Sequence, residues 1–358
     1  MDINFRPGTW RIVSSRILRE GWHVKDLPAV SIIVPTFNGA TRIPICLDGL
    51  CLQTSALPTE ILVIDDGSTD STKGIVKQYA SVRLVSQANA GPAAARNRGV
   101  LEARGEIVLF IDDDCVADPN WLKAMIEPFS DPDVVAAKGV YRSQQKQLIA
   151  RFVQIEYEDR YRRMAKFSNI DFIDTYSAAF RREKFLEIGG FDVSFPVACA
   201  EDAELSYRMS ARGWKMKFAP DAIVYHTHPD TLTKYLAKKY KFAYWRMLAV
   251  RKNPNKALAD SHTPQLMKLQ LLFPPALLLA VIFDLAMRLS VPATGVVLIA
   301  FLISTLPFTA RAMRKDPVVG LLSPILLALR ACAQLLGVTA GIAYAHRGSA
   351  QVQTKPVA

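Results

Sequence analysis

The order of apolar and polar positions divides the chain into two parts. In residues 28–138, short β-branched runs alternate with stretches of helical periodicity, whereas the chain beyond residue 266 is almost continuously apolar. The first pattern is typical of a mostly parallel sheet whose strands are joined by helices. The second is typical of membrane-spanning helices. We therefore predict an α/β domain at residues 28–232 that is followed by a helical membrane region.

Five apolar runs predict buried strands, and four helical patterns lie between them. The strands are expected at residues 30–34, 60–64, 82–85, 106–111 and 133–137, and the helices at about residues 41–53, 71–80, 92–104 and 120–129. A sheet of this kind binds its ligand at the carboxyl ends of the strands. The residues that follow each strand are therefore the candidates for chemistry.

Three apolar segments follow, at residues 269–287, 291–310 and 318–345. The first two have the length of about 20 residues that crosses a bilayer core. The third contains Arg330 and fits a tilted span, a re-entrant hairpin that turns at Arg330, or an interfacial helix. We predict two to three helices within residues 267–346, and a C-terminal tail at residues 347–358.

The net charge of +11 is distributed unevenly, and just before the first apolar segment residues 234–256 contain eight Lys and Arg and no acid. The positive-inside rule places this juxtamembrane segment, residues 233–266, and the α/β domain on the cytoplasmic face of the plasma (inner) membrane. The basic block either attracts membrane lipids or an anionic lipid-linked substrate, or serves only as a topology signal. Because the membrane already explains the charge, we do not expect nucleic acid as a partner.

Residues 1–27 combine tryptophan and aliphatic side chains with four arginines. This composition fits a basic amphipathic helix on the membrane surface. It fits equally well an N-terminal arm that packs on the domain.

Polar and acidic residues follow three of the predicted strands. The first strand is followed by residues 35–38, the second by Asp65 and Asp66, and the fourth by residues 112–114, which are all aspartate. Carboxylates gathered at one sheet edge repel one another unless a cation or sugar hydroxyls lie among them. Oxygen ligands without a CxxC pair favour Mg²⁺ or Mn²⁺ over zinc. Asp65 and Asp66 alone are equally typical of turn and N-cap chemistry.

The chain resembles the family 2 glycosyltransferases of the GT-A fold over about residues 29–230. The motifs that carry the resemblance are SIIVPTFN (31–38), VIDDGSTDST (63–72), NAGPAAARNRGVLEARGEIVLFIDDDC (89–115), FRREKFLEIGGFD (180–192), AEDAELSYRMSARGW (200–214) and VYHTHP (224–229). The resemblance implies a Rossmann-like α/β catalytic domain that uses a nucleotide-sugar donor and a divalent metal.

The resemblance also implies roles at the donor site. The residues expected to bind the nucleotide sugar are Pro35, Thr36, Phe37, Asn38, Asp65, Asp66, Arg96, Asn97, Asp112 and Asp113. The metal is expected at Asp114, with Asp112 and His226 beside it. Arg96 and Asn97 are expected to open a helix below this site, and Arg96 could instead pair structurally with the aspartates. His226 could equally be structural.

Asp202 matches the general base of the family. Inverting sugar transfer needs a carboxylate that takes the proton from the acceptor hydroxyl on the face opposite the departing diphosphate. The alternative is that Glu201 and Asp202 only cap a helix. On the acceptor side, the resemblance implies Gly190, Phe191, Asp192 and Glu201, and the alternative for this loop is a helix stop with glycine at the C-cap. The family often has Gly-Asn where this chain has Tyr176 and Ser177.

The segment at residues 241–245 lacks the Gln and Arg of the motif that marks processive synthases. We therefore expect one sugar, from a UDP-sugar because UDP is common in the family, to be moved to a hydroxyl of a lipid or lipid-linked glycan. The alternatives are a polyprenyl-phosphate glycosyltransferase, whose anionic acceptor needs no base, and, remotely, an inactive nucleotide-binding membrane scaffold. A homo-oligomer is compatible with the sequence but not required.

Overall fold

The computed structural model describes residues 29–53, 57–195, 199–254, 261, 263–287 and 292–352, with side chains as far as residue 344. The predicted N-terminal arm lies outside these residues. The described strands are β1 (Val30–Thr36), β2 (Thr59–Asp65), β3 (Val82–Ser86), β4 (Ile107–Ile111), β5 (Cys115–Ala117), β6 (Val134–Arg142), β7 (Ser177–Arg181) and β8 (Lys215–His226). All five predicted strands are present, at β1 to β4 and β6.

Seven helices belong to the α/β domain as described: α1 (Ile43–Cys51), α2 (Thr72–Val76), α3 (Pro92–Glu102), α4 (Trp121–Ile126), α5 (Leu148–Met164), α6 (Arg182–Glu187) and α7 (Glu201–Ala211). A 3-10 turn, Glu127–Ser130, continues α4. The helices that follow are α8 (Leu232–Lys252), α9 (Gln265–Gln270), α10 (Phe273–Met287), α11 (Ala293–Lys315) and α12 (Pro317–Val352).

The strands form one sheet in the order β3-β2-β1-β4-β7-β6-β8-β5. Strands β1 to β4 are parallel, and β6 runs parallel to β8. Strand β7 is antiparallel to both of its neighbours, and β5 is antiparallel to β8. The prediction of a mostly parallel α/β domain is therefore confirmed. Strands β5 and β7 are short, and β8 pairs with β6 through two register irregularities.

Strand β1 shows why the predicted strands are continuously apolar. Val30, Ile32 and Val34 face a core that includes Trp121 of α4. Ile33 faces a second core on the other side of the sheet, together with residues of α3 and α7. A strand that is buried on both faces needs apolar residues at every position, so its sequence shows no alternation.

The C-terminal part contains three helices that are long and apolar enough to cross a membrane: Gln265–Met287, Ala293–Lys315 and Pro317–Tyr344. The third is one continuous helix through Arg330, which excludes the hairpin that the sequence left open. Its apolar window is 39% buried, against 11% for each of the other two. The reason is that α12 packs along α8 and α5 of the preceding part of the chain.

A buried ionic cluster explains the arginine in this apolar helix. Glu156 of α5 accepts hydrogen bonds from Arg330 of α12 (2.7 Å) and from the Tyr235 hydroxyl (3.1 Å), and its carboxylate lies 2.8 Å from the Lys239 ammonium. Burial alone would raise the pKa of Glu156, but Lys239 and Arg330 lower it to about 2. Arg330 also donates to Gln270 of α9 (2.6 Å). The cluster therefore joins the α/β domain to two of the candidate spans.

The turn between the second and third candidate spans is held by α5. Arg311 lies 2.7 Å from Asp159, Asp316 accepts from Arg151 at 2.5 Å, and Lys315 pairs with Glu158. The basic residues at the end of α11 therefore lie on the side of the α/β domain.

Two glycines set the distance between α12 and α8. A Cβ atom placed on Gly341 would lie 2.4 Å from the carbonyl oxygen of Tyr244, and one on Gly337 would lie 2.3 Å from that of Tyr240. Contacts this short do not occur in folded proteins, so any side chain here must push the helices apart. By contrast, a Cβ on Gly295 of α11 has no neighbour within 4 Å.

We predict that Gly341→Ala and Gly295→Ala have opposite effects on stability. Gly341→Ala should lower the free energy of unfolding by about 1–3 kcal/mol because of overpacking. Gly295→Ala should leave it unchanged or raise it by up to about 1 kcal/mol because alanine favours the helix. Thermal unfolding of the detergent-purified protein measures both. Equal melting temperatures for the two variants would show that α12 does not pack on α8 in this way.

Candidate active site

A chamber of about 720 Å³ opens at the carboxyl ends of the central strands. This volume is typical of a site for a small ligand. Its acidic end is lined by residues that follow β4 and begin α7, together with the histidine at the end of β8: Asp112, Asp114, Glu201, Asp202 and His226. The structure therefore brings the predicted metal and catalytic residues to one chamber.

Arg96 is the buried cation at this acidic end. Its guanidinium donates to Asp112 (3.0 Å) and to Glu201 (2.9 Å), and its side chain is only 4% exposed. It lies one turn inside α3 rather than at the start of the helix. The structural pairing that the sequence left open for Arg96 is thus present, and the same side chain also lines the chamber.

The three consecutive aspartates point in different directions. Asp112 and Asp114 line the chamber, whereas Asp113 is buried away from it. Asp113 accepts hydrogen bonds from the Thr36 hydroxyl (2.6 Å) and from Arg42 (3.0 Å). Asp113 therefore ties the end of β4 to the loop after β1 instead of facing the chamber.

Asp114 and His226 form the candidate metal pair. Asp114 Oδ1 lies 3.5 Å from His226 Nδ1, and the ring of His226 stacks on Tyr141 with the centroids 4.4 Å apart. The Cys115 sulfur belongs to the same cluster, whose ligand atoms all lie within 4.8 Å of one another. Burial raises the pKa of the Cys115 thiol well above its ordinary value, so it is a poor ligand. The carboxylate and the imidazole are both groups that could hold a divalent metal ion.

The loops that follow β1 and β2 are joined by hydrogen bonds. Asn38 has a left-handed backbone (φ 48°), and its side-chain oxygen accepts from the backbone N–H of Thr69 at 2.9 Å. The N–H of Asn38 donates to the Ser68 hydroxyl at 2.9 Å. Pro35 and Thr36 end β1, and the next side chain, Phe37, is 46% exposed. The loop therefore presents an aromatic ring on a fixed backbone.

The two carboxylates after β2 mainly build the surrounding loops. Asp66 accepts hydrogen bonds from the N–H groups of Ala90 (2.9 Å) and Gly91 (2.8 Å). Asp65 is buried and accepts from the Ser68 N–H at 3.1 Å. Its other oxygen lies 3.4 Å from the Lys73 ammonium and accepts no hydrogen bond within the described part of the chain. The turn-building alternative therefore accounts for Asp66 more fully than for Asp65.

Glu201 and Asp202 are neighbours in different surroundings. Glu201 is buried, and its carboxylate accepts from Arg96 and from the N–H groups of Cys199 (2.8 Å) and Ala200 (3.1 Å). Asp202 lines the chamber, and its carboxylate accepts from the N–H of Ala203 at 2.7 Å. Burial, reinforced by the charge of Glu201, raises the pKa of Asp202 to about 7. Glu201 thus fits the structural alternative, and Asp202 is the carboxylate open to a ligand.

The loop after α6 is not in the chamber wall. Phe191 is 2% exposed and packs against Phe110 and Phe185, with ring centroids 5.6 and 5.2 Å away. Gly190 has a positive φ of 67° and follows the end of α6, which is the helix stop that the sequence left open. Asp192 pairs with Lys252 of α8. Of the predicted acceptor-side residues, only Glu201 lines the chamber.

Asn97 also turns away from the predicted donor site. Its side chain donates to the carbonyl oxygen of Phe191 and accepts from the N–H of Phe191, both at 2.8 Å. It is therefore the residue that fastens the loop after α6 to α3, and not a chamber residue.

Several chamber residues were not predicted. Tyr176 stacks on Tyr141 with the centroids 3.4 Å apart and lies where the family often has Gly-Asn. Asp174 pairs with the fully buried Lys138 of β6, and Arg160 of α5 lies in the same wall. The departure at Tyr176 was the one local signal, because the other residues come from elements distant in sequence.

The sheet order and the convergence of carboxylates at its edge agree with the GT-A fold that the resemblance implied. Residues 31–189 match the family model described as Glycosyl transferase family 2. The chain therefore carries a family 2 glycosyltransferase domain, as its motifs predicted.

Similar proteins extend this finding. The chain is 26% identical over 219 residues to the pre-mycofactocin glycosyltransferase of Mycobacterium tuberculosis (strain ATCC 25618 / H37Rv), covering 59% of this chain and 45% of that protein. It is 26% identical over 261 residues to the validoxylamine A glucosyltransferase of Streptomyces hygroscopicus subsp. limoneus, covering 60% and 57%. The chain thus spans about half the length of these curated relatives.

Among solved structures, the mannosyltransferase PcManGT from Pyrobaculum calidifontis, in complex with GDP-Man and Mn²⁺, has a TM-score of 0.58 at 22% sequence identity. The similarity covers 91% of both chains. The likeness in fold therefore continues beyond the family 2 domain into the C-terminal helices.

We predict that Asn97→Ala weakens the fold but not the binding of nucleotide. Loss of both hydrogen bonds to Phe191 should lower the free energy of unfolding by about 1–3 kcal/mol. The dissociation constants of UDP and GDP with Mn²⁺, measured by calorimetry, should stay within about twofold. The exposed Asn120, whose side chain makes no cap hydrogen bond, is the control. Unchanged stability together with lost nucleotide affinity would show that Asn97 binds the nucleotide, as the sequence predicted.

Proposed function

We propose that the protein is a membrane-anchored, non-processive, inverting glycosyltransferase. It moves a sugar from a nucleotide-diphosphate sugar to a hydroxyl of a lipid or lipid-linked glycan at the cytoplasmic face of the plasma (inner) membrane. The observation that carries the proposal is that Asp202, Asp114 and His226 line one chamber that also reaches two candidate membrane spans.

In this proposal the donor nucleotide lies against the hydrogen-bonded loops after β1 and β2. The exposed ring of Phe37 stacks on the base, and the buried Asp65 holds the loop after β2 through Ser68 and Lys73. The diphosphate then reaches Asp112 and Asp114 at the end of β4. The GDP-Man bound by the mannosyltransferase of similar fold makes GDP a donor base to test beside UDP.

The bound metal would be held by Asp114 and His226, with Asp112 beside them. Mn²⁺ or Mg²⁺ at this position supplies the positive charge that stabilises a departing diphosphate. Mn²⁺ is the metal in the solved structure of similar fold.

Asp202 is the general base of the reaction. Its carboxylate takes the proton from the acceptor hydroxyl, and the hydroxyl oxygen forms the new bond to the anomeric carbon. The bond from that carbon to the diphosphate oxygen breaks, and its electron pair leaves with the nucleoside diphosphate. One displacement inverts the anomeric centre. Glu201 cannot replace Asp202 because Arg96 and two backbone N–H groups hold its carboxylate.

A second candidate is transfer to a lipid phosphate, which is already an anion and needs no base. It is favoured by the cations Lys238 and Lys241 in the chamber wall. The product distinguishes the two candidates, because a sugar on a phosphate is released by mild acid and a glycosidic bond to a hydroxyl is not.

We predict that two variants separate donor binding from catalysis. Detergent-purified protein is given UDP-, GDP-, dTDP- and CDP-sugars with Mn²⁺, Mg²⁺ or EDTA, and donor binding and turnover are measured. Asp202→Asn should keep donor affinity within about threefold and lose at least about 100-fold in turnover. Asp114→Ala should lose the metal-dependent part of donor binding. If no nucleotide sugar binds with either metal, the donor-site assignment is wrong.

We predict an acidic limb in the pH dependence of transfer. The raised pKa of Asp202, about 7, means that the carboxylate is protonated below this pH and ionised above it. Because a general base acts in its ionised form, kcat/KM should fall about tenfold per pH unit below pH 7 and level off above it. Donor binding measured over the same range is the control for effects on the donor site. A flat profile between about pH 5.5 and 8.5 would rule out Asp202 as the base.

A further inference from the structure

The chamber wall also contains residues to which the transfer to a hydroxyl described above assigns no role. They are cations from three helices and apolar residues of the candidate spans. Besides Lys239 and Arg246, whose partners are given below, these cations are Lys238 and Lys241 of α8, Arg160 of α5 and Lys268 of α9, and the last four form one set. We call this set the basic wall.

The positive charge of α8 in the basic wall has no acidic counterpart on its own helix. Lys238 and Lys241 are three residues apart and therefore lie on the same face of α8. The helix contains no Asp or Glu. In the part of the chain that the structure describes, neither lysine has a carboxylate within 4.0 Å, although Lys238 lies 5.5 Å from the ring centroid of Phe242.

The other basic residues of α8 differ in this respect. Lys239 is paired with the buried Glu156. Arg246 donates to the hydroxyls of Thr263 and Tyr207, each at 3.0 Å. Lys234 is paired with Asp230, and Lys252 with Asp192. Of the three lysines of α8 that line the chamber, Lys238 and Lys241 differ from Lys239 in lacking an acidic partner among the described residues. A bound anion would complete this arrangement.

The apolar residues of the chamber wall indicate which kind of molecule carries the anion. Met267 and Leu271 belong to the first candidate span, and Gln334 and Val338 belong to the third, and all four line the chamber. A free nucleotide or sugar phosphate has no apolar part to contact these residues. A lipid has one, and it can enter from the bilayer between the two spans.

We propose that the basic wall is a subsite for the phosphate or diphosphate of a membrane lipid, whose chain leaves the chamber between the first and third candidate spans. The proposal deepens the proposed function, because the lipid is the anchor of the acceptor that Asp202 deprotonates. Held by its phosphate in this wall, the acceptor presents its reactive group toward the carboxylate end of the same chamber. The basic block before the first span is then a ligand site as well as a topology signal.

The test measures lipid binding without any donor present. Full-length protein in nanodiscs of neutral lipid is titrated with farnesyl diphosphate, farnesol or inorganic pyrophosphate, and binding is followed by tryptophan fluorescence. Farnesyl diphosphate should bind at least about tenfold more tightly than either of the others. Lys238→Gln/Lys241→Gln should weaken it at least about tenfold, and Lys238→Arg/Lys241→Arg should keep the affinity because the charge remains.

A matched control removes the same charge from the same helix. Lys234→Gln/Arg251→Gln changes two exposed cations of α8 outside the chamber lining, and it should leave the affinity for farnesyl diphosphate unchanged. Equal losses in both double variants would overturn the proposal, because surface charge alone would then explain the binding. A loss of donor affinity as large as that for farnesyl diphosphate would also overturn it.

The outcome is separable from that of the proposed function. If wild-type protein turns over no nucleotide sugar but needs Lys238 and Lys241 for farnesyl diphosphate, the subsite is supported and the proposed function fails. If a donor is turned over and the double glutamine variant binds farnesyl diphosphate as wild type does, the subsite alone fails.

Discussion

The acidic end of the chamber depends on one buried cation, Arg96. Arg96 forms ion pairs with Asp112 at the end of β4 and with Glu201 at the start of α7. A single guanidinium therefore joins the end of β4 to the helix that carries Asp202. Removing one member of a buried ion pair leaves an uncompensated charge and costs about 3–5 kcal/mol. The charge of Arg96 also opposes burial and the charge of Glu201, which together raise the pKa of Asp202 to about 7.

The parts of the fold that the sequence predicts are those with a local signal. Strands β1, β2 and β4 contain continuous apolar runs that are buried, and the rule that ligands bind at the carboxyl edge of such a sheet points directly to Asp112 and Asp114. The rule cannot say which of three consecutive aspartates faces inward. That choice depends on Thr36 and Arg42, which draw Asp113 to the other side.

Long-range partners account for most of what the sequence could not show. The motif around Phe191 resembles an acceptor loop, yet Asn97 and the core phenylalanines hold it inside the domain. The sequence allowed a tilted span, a hairpin or an interfacial helix around Arg330. The choice depends on the ionic partner of Arg330, Glu156, which lies 174 residues earlier in the chain. The basic wall is only partly of this kind: the lysines of α8 belong to a basic run that the sequence shows, whereas Arg160 of α5 and Lys268 of α9 join them only through the fold.

Glu156 of α5 forms ion pairs with Lys239 of α8 and with Arg330 of α12. A rocking motion of α12 away from α8 would leave this carboxylate with fewer cations and would open the close contacts at Gly337 and Gly341. The catalytic domain and the third span are thus expected to move as one body, with the chamber at a constant height beside the bilayer. The lipid acceptor that we propose would then reach the chamber by lateral diffusion, and its rate of encounter would follow its surface density in the membrane instead of a concentration in bulk solution.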